Sequence, residues 1–234
     1  MLITKQRKTW AVMFILLACL AVLNFTDGLQ RDEPAVYDAF MQVFGFNPLG
    51  LTAALDNHDF GGILLAGMQT ITYQFVHMSL LHFTMNVYFL ALLGMRVERY
   101  LGGLCLVAFY LAAGIVGALA TWVMNFESAV PMIGASGAIA GCIGGYAALV
   151  IHDRRRRDYL GWLGLLVVGK FLFDQFAMAS GFYPSGDGTV TIAVGAHLAG
   201  FAFGYLVLYL TIRRNRRPVI TPVRIEPDFF AGKN

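Results

Sequence analysis

The chain has 234 residues, of which 58% are hydrophobic and 13% charged, with a formal net charge of +3. A soluble domain carries roughly 25% charged residues, so this chain has too little polar surface to cover a fold in water. Its mean hydropathy of +0.64 indicates an all-α membrane protein, and nothing in its charge pattern calls for a nucleic-acid partner.

In chain order, six apolar segments are long enough, or nearly so, to cross about 30 Å of hydrocarbon. They are Trp10–Phe25, Leu81–Met95, Leu101–Met124, Ile133–Ile151, Leu160–Ser180 and Val190–Ile212. The first follows Lys5, Arg7 and Lys8, as a signal peptide would, but "VLNFTDG" has no small-residue cleavage site and reads as a retained anchor. Between the first two segments lies a long loop, residues 26 to 80. Its apolar stretches "VYDAFMQVFGF" and "GGILLAGM" are too short to span, and are expected to lie in the interface or re-enter.

Basic residues set the orientation. With six spans, Lys5, Arg7, Lys8, Arg96, Arg99, Arg154 to Arg157 and Arg213 to Arg217 all fall on one side, the cytoplasmic one. The opposite loops carry Asp27, Asp32, Glu33, Asp38, Asp56, Asp59, Glu127 and Asp187 against Arg31. This predicts one membrane domain over residues 1–217, both termini cytoplasmic, and a poorly ordered tail over 218–234. Cys19, Cys105 and Cys142 are odd in number and sit in apolar runs, so they read as buried small hydrophobes rather than a disulfide framework. No metal or cofactor pattern is present.

Polar groups inside hydrocarbon are costly and few. They are His82 and Asn86 in span two, Ser136 in span four, Lys170, Asp174 and Gln175 in span five, and His197 in span six. At 1.5 Å per residue, Ser136, His197 and His82 lie about 27, 24 and 21 Å from the cytoplasmic arginines that follow them. They therefore share one layer just beneath the external surface. Asn86 follows His82 by one turn on the same helical face. Taken singly, such a serine reads as packing and such a histidine as a structural group. Lys170 and Asp174 at i,i+4 should neutralise each other. His77 and His82, five apart, do not share a helical face, which argues against a zinc pair.

Small residues let the helices bearing the serine and the second histidine meet. Gly137, Gly141 and Gly145 repeat every four residues in span four, as do Ala196, Gly200 and Gly204 in span six. Gly134 is expected to join the same packing. If Gly200 and Gly204 face span four, Ala196 shares their face, and its neighbour His197 can reach Ser136.

These residues resemble the rhomboid family of intramembrane serine proteases. "GASG" at 134–137 resembles its GxSG signature, "HFTMN" its HxxxN element, and "AHLAGFAFG" its AHxxGxxxG element. "TYQFVH" and "RVERYLG", with His77 and Glu98, resemble flanking segments. The resemblance runs over residues 65 to 205. It implies a six-transmembrane-helix bundle with a long first external loop and a short fourth helix, whose start is sunk in a wet cavity. It further implies a Ser136–His197 dyad, with His82, Asn86 and the Ser136 N–H binding the oxyanion, acting on single-span or other transmembrane substrates. Two departures concern histidine orientation and loop placement. Ala140 stands where the family often has an aromatic residue, and Met68-Gln69 where it often has Trp-Arg. The competing readings are a catalytically weak or inactive relative that binds membrane clients, and a transporter using His82, His197 and Lys170 as a proton path. The second lacks the sequence repeats such folds show. The compact chain is expected in a bacterial plasma membrane.

Overall fold

The computed structural model describes residues 9–153, 159–180 and 189–215. The arginine run at 154–157, the first basic cluster and the tail 218–234 lie outside the described residues.

The described residues form ten α-helices in the order α1 (Ala11–Asp32), α2 (Pro34–Phe44), α3 (Pro48–Asp56), α4 (Phe60–Thr72), α5 (Leu80–Phe89), α6 (Met95–Leu101), α7 (Gly103–Met124), α8 (Ser136–His152), α9 (Tyr159–Ala179) and α10 (Thr189–Asn215). A π turn over Leu90–Gly94 joins α5 to α6, so the two run on as one apolar stretch. Among the described residues, five stretches are long and apolar enough to cross a membrane: Ala11–Asp32, Leu80–Leu101, Gly103–Met124, Leu160–Ala179 and Val194–Asn215. The fourth apolar segment is the shorter α8, of 17 residues.

Local chemistry explains the boundaries. The first N–H groups of a helix lack intrahelical acceptors. At α1 they are taken by Glu98 of α6: Oε1 accepts from Trp10 and Ala11 N at 2.7 Å each, and Oε2 from Val12 N at 3.1 Å. This fully buried carboxylate pins α1 to the bundle. Pro34 opens α2 and Pro48 opens α3, where the missing proline donor costs nothing. Asn47 caps α3 through Gly50 N at 3.0 Å, and Ser79 caps α5 through His82 N at 3.2 Å. Gly102, at φ +89°, makes the break between α6 and α7 that residues with a β-carbon rarely tolerate.

The long stretch between the first two spans is helical, folding as α2, α3 and α4. Gln69 of α4 is buried and ties this layer together. Its Nε2 donates to the Gln42 and Val43 carbonyls at 2.9 and 3.3 Å, and its Oε1 accepts from Asn47 N at 3.3 Å. The residue standing at the missing Trp-Arg pair thus holds the segment by amide hydrogen bonds. A two-way backbone bridge between Phe46 and Met132 (2.9 and 2.8 Å) then joins the layer to the loop that precedes α8.

Helix α8 is the centre of the bundle, with every residue from Gly137 to Val150 buried. A helix apolar all round belongs there. Its partner is α10, and the seam between them is made of glycines. A β-carbon at Gly200 would overlap the Gly137 carbonyl oxygen, one at Gly204 the Gly141 oxygen, and one at Gly144 the Phe201 oxygen. The backbones touch where the small-residue repeats predict. Gly134 does not take part: it precedes α8, in a loop at φ +116°. Cys19 and Cys142 are buried, but Cys105 is exposed on α7, against the expectation that all three pack inside; none is disulfide-bonded.

Candidate active site

The register of the glycine seam fixes where the first residue of α8 falls. Gly137 lies against Gly200, with the Ala196 side chain close by. Their sequence neighbours Ser136 and His197 are thereby brought together, Oγ to Nε2 at 2.8 Å. The far side of the ring is also held: His197 Nδ1 lies 2.7 Å from Oε1 of Gln175 on α9. An amide oxygen can only accept, so this contact matches the tautomer with its proton on Nδ1. In the neutral ring Nε2 is then the acceptor, and the Ser136 hydroxyl donates to it.

Phe171, one turn before Gln175 on α9, packs on the same imidazole with ring centroids 5.9 Å apart. Ala140 is fully buried in the core of α8, and the aromatic neighbour of the histidine comes from a different helix. Gln175 was legible as an intramembrane polar residue, but pairing it with His197 depends on how α9 packs against α10, which spacing does not report.

The approach to Ser136 is set from the other side. The Gly134 N–H donates to the Tyr73 carbonyl at 2.9 Å. A β-carbon at Gly134 would lie 2.6 Å from Cε1 and 2.8 Å from Nε2 of His82, so the His82 ring occupies the space a side chain would need. Gly134 is thus a residue of the site wall rather than of helix packing. Asn86 donates from Nδ2 to the His82 carbonyl at 3.1 Å, consistent with their shared face. Ser136 opens α8 with no side chain capping it, leaving N–H groups of the first turn and the positive end of the helix dipole at this spot.

Ser136, His197, His82, Asn86 and Gln175 all line one cavity of about 500 Å³. Its remaining wall is mostly apolar, and it lies between α5 and α9, where Phe89 and Phe171 approach to 6.4 Å. Asp174 also lines it, held by Lys170 Nζ at 2.6 Å, as the i,i+4 spacing predicts.

His77 departs from expectation. It precedes α5 rather than lying on it, and its ring meets that of His82 at 5.1 Å, so helical-face reasoning did not apply to the pair. No group of three or more potential metal ligands exists among the described residues. Burial, then the neighbouring His82, push the His77 imidazole down to about 4, while its hydrogen bond with the Phe75 carbonyl works the other way.

Residues 66–214 match the family model described as the Rhomboid domain. The chain belongs to the rhomboid family. It is 29% identical over 180 residues to Rhomboid-like protein 11, chloroplastic, of Arabidopsis thaliana, covering 74% of this chain and 59% of that one. It is 37% identical over 93 residues to Rhomboid protease GluP of Bacillus subtilis, covering 40% and 17%. With Rhomboid-related protein 2 of Mus musculus it shares 28% over 142 residues, covering 59% and 46%. The matches therefore span less than two thirds of each of these relatives. As a rhomboid, with five long apolar helices, the chain is an integral membrane protein.

Proposed function

We propose that this rhomboid is an active intramembrane serine endopeptidase, in which Ser136 is the nucleophile and His197 its base. The observation that carries the reading is the 2.8 Å contact between Oγ and Nε2, inside a cavity that also holds two further polar side chains from α5. A serine hydroxyl becomes a useful nucleophile only when a base takes its proton.

In this reading Oγ attacks the scissile carbonyl carbon as its proton passes to Nε2. The resulting oxyanion is met by donors from His82, Asn86 and the Ser136 N–H. The imidazolium then protonates the leaving nitrogen, the C–N bond breaks, and the acyl group stays on Oγ. A water gives its proton to Nε2 as it attacks the acyl carbon; the C–Oγ bond then breaks, Nε2 returns the proton to Oγ, and the acid leaves with the serine restored. Substrates are transmembrane proteins whose scissile bond is exposed to the cavity from the lipid.

We take residues 1–217 as one membrane domain with α8 as the short fourth of six crossings, and the end that carries Arg96, Arg99, Arg213 and Arg214 as cytoplasmic. The positive-inside bias supports this orientation, and the cavity then opens near the external face.

A fluorophosphonate probe tests the nucleophile. The wild type is expected to label and Ser136→Ala is not; equal labelling of both would show that another residue reacts.

A further inference from the structure

We infer that Gln175 is a positioning residue for His197, which turns the serine–histidine pair into a Ser136–His197–Gln175 relay whose third member is an uncharged amide. This rests on the protease reading above, but its central observation is independent of activity: Oε1 of Gln175 stands 2.7 Å from His197 Nδ1, and Gln175 is only 5% exposed.

The chemistry requires such a partner. A neutral imidazole exists as two tautomers, and only the one with its proton on Nδ1 offers a lone pair at Nε2 to the serine. An isolated ring would divide its time between both and would rotate about its side-chain bonds. Gln175 selects the productive tautomer because its oxygen has no proton to give. Phe171, four residues earlier, lies on the same face of α9 and restrains the plane of the ring. Between them, these two α9 side chains hold His197 at one nitrogen and along one edge.

The residue type also has a reason. In soluble serine proteases a buried aspartate does this work, but an extra carboxylate held in hydrocarbon carries a large desolvation cost. An amide makes the same directional bond without a buried charge. Among the described residues lining this cavity, the titratable groups besides His197 are Asp174, His82 and Tyr73. Asp174, on the next position of α9, lines the same cavity and is already paired with Lys170, and His82 faces the cavity from α5.

The test uses the full-length protein in detergent, with nitrogen-15 in its histidine rings and His197→Ala to assign the signal. Nitrogen-15 shifts separate a protonated from an unprotonated ring nitrogen, so the tautomer is read without any substrate. The wild type is expected to show His197 protonated at Nδ1 only. Gln175→Leu is expected to lose that preference, and Gln175→Glu, whose ionised carboxylate offers only acceptor oxygens to Nδ1, to keep it. In turnover with a single-span substrate, Gln175→Leu should lower kcat by about 10- to 100-fold with KM unchanged. That is less than the roughly 10⁴-fold loss when a partner enforces the wrong tautomer. Gln175→Glu should recover most of it.

Two results would overturn the inference: a wild-type tautomer signal in Gln175→Leu, or equal kcat losses in the Leu and Glu variants. An inactive wild type with His197 protonated at Nδ1 would instead sink the protease reading and leave the positioning role standing.

Discussion

The two sides of α8 are built on opposite plans. Toward α10 the backbones touch through Gly137, Gly141, Gly144, Gly200 and Gly204, and no side chain fits between them. Toward α5 and α9 there is a cavity of about 500 Å³, whose wall on that side is made of side chains such as Asn86, Phe89, Phe171 and Gln175. A backbone contact has one solution, since neither partner can rotate out of the way. A wall of side chains can rearrange rotamer by rotamer. Ser136 and His197 belong to the tight side, where their 2.8 Å separation is inherited from the glycine register. Gln175, Phe171, His82 and Asn86 belong to the open side, where a substrate segment would have to enter.

Breaking the tight side should have the largest effect. Gly204→Val forces a side chain into the Gly141 carbonyl, and should cost more than the roughly 3 kcal/mol of ordinary overpacking. The expected outcome is loss of the monodisperse species in detergent, read by size exclusion and thermal unfolding. His197→Ala leaves the seam intact, so cleavage of a single-span substrate should fall to background with an unchanged melting curve. A lowered melting temperature there would place His197 among the structural residues of the seam.

On the open side the losses should be graded. Asn86→Ala is expected to slow cleavage by about 10²-fold, the scale of one lost oxyanion donor, with fluorophosphonate labelling still detectable. Phe171→Leu should cost less than the about 10²-fold attributable to an ångström of misplacement, and should act on kcat.

The smallest change concerns His77 and is read in stability. Its imidazole is held at about 4 in the folded protein against an ordinary 6.5, so the unfolded chain takes up a proton that the folded one refuses. Its contribution leaves stability undiminished above about pH 6.5 and erodes it as the pH falls toward 4. His77→Gln should flatten that part of the stability-against-pH curve in detergent; an unaltered slope would assign the loss to other groups.

Much of this was legible in the sequence because it depends on spacing along single helices. The repeats of small residues in α8 and α10 announced their contact, and the i,i+4 pair Lys170 and Asp174 announced its own bond. The relation of His77 to His82 was misjudged because helical-face reasoning fails for a residue outside the helix. Gly134 also lies outside its helix, so the packing period of α8 does not extend to it. The layer of α2 to α4 was obscured by its short segments, each too brief for a clear period.

Sequence alone determined that the chain lives in a membrane, which helices approach most closely, and which side chains are costly enough there to need a purpose. These follow from composition and period, which are local and repeat along the chain. Only the tertiary structure decided that Gln175 meets His197, that Phe171 of α9 packs beside the same ring, and that the His82 ring fills the space beside Gly134. Each of these joins side chains from elements far apart in the chain, and their meeting depends on the angle and depth at which those elements pack.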